Sequence, residues 1–187
     1  MMNNNHVVFE DDPVLGKYIF RKRSTKWIEK QLSPTTFETL RKNGRIGAEY
    51  TARSKFDVTT RILISRKPHS TYKKTPGNSY ISYFHNSCKW KGCITDIIKL
   101  PNSKHPLLVV NSLIPLSDED NKHKNPYYSL PDLLNASVLY DKHGGYHVIE
   151  CDKVIGQLVV IKNETGTFDI QHPTISTVEL MNLVSLC

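Results

Sequence analysis

Hydrophobic and polar residues alternate with a period of two along most of this chain, and one stretch switches cleanly to the helical period. Residues 55–67 (KFDVTTRILISRK) are rich in β-branched types. Alternation there puts Arg61, Leu63 and Ser65 on one face and Ile62, Ile64 and Arg66 on the other. Strand-like stretches recur at 79–84, 91–100, 106–114, 136–140, 146–151 and 157–162. Turn formers separate them: a Pro-bounded loop at 68–77, Pro101-Asn102, residues 117–126, His143-Gly144-Gly145 and residues 163–166. Six or more short strands with few helices predict a mainly β (β-rich α+β) fold, a small barrel or rolled antiparallel sheet.

The helical exception is at 34–43. Ser33 suits the cap, Pro34 the first position, Phe37 and Leu40 share a face, Arg41 and Lys42 complement the C-terminal dipole, and Gly44 terminates. A shorter helix is expected at 26–32, giving one or two short helices near 25–43; two helices around Ser33 would also suit a helix-turn-helix. Residues 129–134 suit a single helical turn opened by Pro131-Asp132. The organisation read is an acidic arm at 1–16, with a short strand at 6–9, and a single β-rich domain at 17–187. In that domain, 17–78 is a basic helix-plus-strand subregion and 79–187 the barrel.

From Trp90 to Ile161 the order of features resembles a BAH (bromo-adjacent homology) domain. The strand Trp90-Lys-Gly-Cys-Ile-Thr-Asp-Ile-Ile98 is followed by a turn and Leu107-Leu-Val-Val110. An acidic, Pro-containing excursion at 117–131 precedes Ala136-Ser-Val-Leu-Tyr140 and the stretch Tyr146–Val160. Similar stretches occur in transposon-derived proteins. The aromatic and Arg-Pro-Glu run usual after the second strand is replaced by Asn111-Ser-Leu-Ile-Pro-Leu116. The resemblance implies a barrel that binds partners, usually on chromatin, without catalysis.

Charge sharpens this picture. Residues 17–105 carry twenty Lys or Arg against five acids, a net of +15, whereas the flanks sum to −3 and −5. Such a field holds polyanions by releasing their counterions. Nucleic acid (DNA or RNA) or a nucleosome is therefore the expected partner, with an acidic protein the alternative. Basic residues interleave with aromatics, so Arg21, Lys22, Arg23, Arg66, Lys67, Lys73, Lys74, Lys89 and Lys91 are the expected nucleic-acid contacts, with neighbouring rings free to stack on bases. The polar N-terminus and the lack of about 18 consecutive apolar residues argue against a signal peptide or membrane span. An intracellular, nuclear location is the expectation.

Two other chemistries are present in outline. His69-Ser-Thr71 and His172-Pro-Thr174 match the H-x-[ST] pattern of 2H phosphoesterases, in which paired His act as acid and base. With eight His in the chain such matches arise by chance, and His85-Asn-Ser87 is a third. His85, Cys88, Cys93, His147 and Cys151 have the donor types for a tetrahedral zinc. The simpler reading makes Cys93 and Cys151 small buried hydrophobes and the two His surface residues. No Gly-rich phosphate loop is present, since Gly144-Gly145 reads as a hairpin turn. Neither a cofactor nor a metal is expected.

Overall fold

The structure, a computed structural model, describes residues 25–101, 103–130 and 135–181. The arm at 1–16, the strand expected at 6–9, Arg21, Lys22 and Arg23 lie outside the described residues, as does most of the turn expected at 129–134. The elements in order are β1 (Ile28–Gln31), α1 (Pro34–Lys42), β2 (Lys55–Thr59), β3 (Arg61–Ile64), β4 (Lys67–Ser70), β5 (Tyr80–His85), β6 (Cys88–Lys99), β7 (Leu107–Pro115), α2 (Asp118–Lys124), β8 (Ala136–Glu150), β9 (Val154–Asn163) and β10 (Thr174–Met181).

Six strands close on themselves. Following hydrogen-bonded neighbours from β6 through β5, β9, β10, β8 and β7 leads back to β6, and every pairing is antiparallel. The mainly β, rolled antiparallel sheet expected from the alternation is therefore observed. β2 extends the sheet from the C-terminal half of β6, opposing Asp57 to Lys99, and β1 lines up outside β2 with all four of its residues exposed. β3 and β4 form a separate hairpin.

The inside of the ring follows from the strand period. Tyr80, Cys93, Leu113, Leu139, Leu158 and Ile175 form one buried cluster to which each of the six strands contributes one side chain. Followed along β6, this inner face continues past a bulge near Thr95 to Ile98, which packs with Leu107, Val109 and Val148 against Phe37 and Leu40 of α1. α1 thus covers one end of the ring. The outer face of β5, β6, β7 and β8 carries Ile81, Tyr83, Ile94, Val110 and Ile149, packed under Ile62 and Ile64 of the β3–β4 hairpin.

α1 forms where its local signals put it. Ser33 Oγ accepts from the Thr36 amide at 3.1 Å, Pro34 opens the helix, and Gly44 follows with φ of 64°. The helix expected at 26–32 is instead β1, because pairing Ile28 to Val58 and Gln31 to Lys55 satisfies its backbone in the sheet. This removes the first helix of the helix-turn-helix reading. Residues 68–70, expected in a loop, pair with β3, so His69 is on a strand opposite Ile62. Gly144-Gly145 makes no hairpin: β8 runs unbroken through it, and Gly145, with φ of 146°, absorbs a register shift opposite Ser112.

Candidate functional site

Between Val58 and Thr95 the chain carries seven Lys or Arg and no acid. The fold turns this stretch into the β3–β4 hairpin, the loop at 71–79, β5 and the start of β6. The loop is pinned at both ends by backbone bonds, Tyr72 N donating to Ile94 O at 2.7 Å and Ser79 N to Pro76 O at 3.0 Å. Ser70 Oγ also donates across it to Thr75 O at 2.8 Å. Lys73 and Lys74 stand exposed on its tip, and Arg66 stands exposed in the β3–β4 turn with φ of 65°. Lys67 is half-buried beside it. Gln157 of β9 donates to Pro68 O at 2.6 Å, which ties the hairpin to the ring.

A groove of about 390 Å³ separates this loop from β9 and β10, lined by Tyr72, Asn78, Tyr80, Val159, Val160 and Lys162 among others. Tyr72 is 39% exposed and meets Tyr80 edge to face at 5.8 Å between ring centres. Burial and the neighbouring Tyr72 push the Tyr80 phenol up. Lys162 is held by Asp141 at 2.9 Å, and that carboxylate raises its pKa. The groove thus offers one partly exposed ring and apolar walls, and Lys73 and Lys74, next to Tyr72 along the loop, form no ion pair among the described residues.

Lys89 and Lys91 are differently placed. Alternation along β6 aligns them with Cys93, so they face the inside of the ring at the end opposite α1. Lys91 Nζ donates to Ser137 Oγ and, at 3.1 Å, to Thr177 Oγ1. Lys89 Nζ pairs at 2.8 Å with Glu179, whose side chain is 2% exposed. Desolvation, outweighing the attraction of Glu179, lowers Lys91 to about 8. Lys91 is therefore engaged inside the ring and Lys89, half-exposed at its rim, is held by Glu179, whereas Arg66, Lys73 and Lys74 face outward.

The zinc-like set is spread over several sites. His85 and His147 stack at 4.1 Å, with Trp90 edge-on to His147 at 4.9 Å and Tyr83 OH bonded to His147 Nδ1 at 2.9 Å. Burial lowers the pKa of both His, and for His147 the adjacent His85 adds to it. Cys93 is inside the ring and Cys88 is exposed in the β5–β6 turn. Cys151 lies past the end of β8, where its thiol donates to Pro106 O at 3.6 Å. Burial pushes both Cys93 and Cys151 up to about 11, as befits thiols that pack rather than ligate. Among the described residues no three His, Cys, Asp or Glu side chains are gathered as a metal site.

His69 is 2% exposed, its Nδ1 donating to Lys67 O at 3.0 Å, and burial lowers its pKa. His172 is exposed and rests edge-on against Tyr140. A buried imidazole and an exposed one do not flank a common open cleft. Compared with family models, curated proteins and solved structures, the chain matches none.

Proposed function

We propose that the protein is a non-enzymatic nuclear module that binds nucleic acid, free or on chromatin, through the acid-free surface of the β3–β4 hairpin and the loop at 71–79. The observation that carries this reading is the pairing of exposed, carboxylate-free cations with an accessible ring: Arg66, Lys73 and Lys74 beside Tyr72 and its groove. The ammonium and guanidinium groups contact phosphates, and the Tyr72 face stacks on an unpaired base. Lys91 contributes little because its charge is directed inward, and Lys89 contributes little because Glu179 already holds it.

Fluorescence anisotropy with labelled single- and double-stranded oligonucleotides across a salt series tests this. Log affinity should fall linearly with log salt, and Lys73→Glu with Lys74→Glu should weaken binding on the order of tenfold or more while flattening the slope by about two. Affinity that is indifferent to salt would end the proposal. Tyr72→Ala should weaken single-stranded more than double-stranded binding.

A second reading, an adaptor for an acidic protein, draws support from the outer face of β9 and β10. There Val159 opposes Val178, and Ile161 and Leu180 are also exposed. An apolar strip beside cations suits a protein partner. Introducing a charge there, as Val159→Glu or Val178→Glu, would weaken a protein complex and leave oligonucleotide affinity unchanged.

A further inference from the structure

The end of the ring opposite α1 holds charges that the fold does not balance. Beyond Gly92, β6 parts from β7, and a cavity of about 370 Å³ opens between Lys89–Lys91 on one side and Asn135–Leu139 on the other. Leu113, Pro115, Ala136 and Leu139 supply apolar wall, while Lys89, Lys91, Ser137 and Glu179 supply the polar groups. Two ammonium groups here share one carboxylate. Glu179 gives Oε2 to Lys89, but its Oε1 is buried with no hydrogen-bond partner among the described residues. Lys91 spends two of its three N–H bonds on Ser137 and Thr177. Ser82, opposite Lys91 in register, is fully buried with its hydroxyl also unpartnered. Gly156 lets β9 lie close against β10 beside Glu179, since a Cβ there would come 2.8 Å from Leu180 O and 3.4 Å from Glu179 Cγ.

A buried carboxylate oxygen without a donor, and a buried ammonium in excess of its counter-charge, are each costly. One ligand chemistry satisfies both at once: an anionic group for Lys91 and an N–H donor for Glu179 Oε1, joined by a short link, with an apolar group for the leucine-lined wall. We propose that this cavity binds an α-amino or α-amido carboxylate with an apolar side chain, either a free amino acid or the C-terminal residue of a peptide. Its carboxylate accepts from Lys91 Nζ and its N–H donates to Glu179 Oε1. The lowered Lys91 pKa, about 8, adds a signature. Binding a carboxylate needs the protonated amine, so affinity should fall as pH rises through 8.

Calorimetry on the full chain with L-leucine and N-acetyl-L-leucine tests this and separates the two sources, the first standing for free amino acid and the second for a peptide C-terminus. Saturable, roughly millimolar or tighter binding of either supports the site. Leucinamide, which lacks the carboxylate, and 4-methylpentanoate, which lacks the N–H, should each bind on the order of tenfold more weakly. Lys91→Met and Glu179→Gln should cause comparable losses, while the Lys73→Glu, Lys74→Glu chain, which probes the nucleic-acid surface, should bind the ligand normally. Should Lys91→Met fail to fold, chemical-shift changes in the wild-type chain replace it: changes confined to Ser82, Lys91, Ser137 and Glu179 support the proposal, and changes elsewhere overturn it. No saturable binding of either probe, meaning a cavity that holds ordered water only, or leucinamide and 4-methylpentanoate binding as tightly as the leucine probes, also overturns it.

Discussion

The two ends of the ring solve the same problem in opposite ways. At one end α1 lays Phe37 and Leu40 over Ile98, Leu107, Val109 and Val148, and the packing is apolar. At the other end the inward positions hold Lys89, Lys91, Ser137, Thr177 and Glu179, and two of the polar atoms in this layer, Ser82 Oγ and Glu179 Oε1, have no partner. A ring closed for stability alone would be filled at both ends with hydrocarbon, since replacing buried ion pairs by apolar groups is often neutral or favourable. The asymmetry teaches that the α1 end holds the fold, while the charged end leaves polar atoms unpaired that the proposed ligand would satisfy.

Substitutions should separate the two ends. Leu40 is fully buried under the apolar end, so Leu40→Ala should cost about 3 kcal/mol in denaturant unfolding. If it also abolished ligand binding in the folded fraction, the two ends would not be independent.

The charged end should show itself through pH. Lys91 loses its proton near pH 8 when folded, against an ordinary value of 10.5, so between those values the unfolded chain binds more protons and stability rises with pH. Cys93 and Cys151, pushed up from 9.0 to about 11, act in the opposite sense from pH 9 upward, because the folded state keeps protons that the unfolded state has lost. The Lys91 gain should therefore be read as the difference between the wild-type and Lys91→Met curves, growing by about 1 kcal/mol between about pH 8 and 9. A wild-type curve parallel to that of the variant would break the comparison.

Smaller effects sharpen it. Ser33→Ala removes the α1 cap and should cost roughly 0.5–1 kcal/mol, lowering the thermal midpoint without touching the pH response. Lys55→Ala, which removes an exposed pair with Glu29 at 3.8 Å, should change stability by less than about 0.5 kcal/mol.

What could be read from the chain depended on whether the deciding interactions were local. α1 was legible because its cap, its Pro and its Gly lie within twelve residues of one another. β1 was not, because Lys26–Leu32 folds as a strand only through pairing with β2, more than twenty residues away. α2 had its signals in place and was missed: Ser117 caps Asp120 N at 3.1 Å, acids fill the first turn and Lys122, His123 and Lys124 the last. β10 was missed because its inward positions, Ile175, Thr177 and Glu179, mix apolar with polar and so hide the alternation. The exposure of Lys73 and Lys74 was legible from their Pro-bounded loop, whereas Lys91 was grouped with the expected phosphate contacts without regard to its face. Its parity with Cys93 already marked it as inward, but only the closed ring says what lies opposite. Glu179 was passed over for the same reason.

Closing six strands into a ring also settles where foreign backbone could add to this protein. Where the ring is closed it offers no unpaired row of amides and carbonyls, so that liability moves to the margins, among them β1, which among the described residues has a neighbour, β2, on one side only. Glu29 and Lys30 sit at the middle of that four-residue border, and their hydration opposes stacking against another molecule. At this border, opposition to strand addition thus rests on two charged side chains at the rim of the sheet.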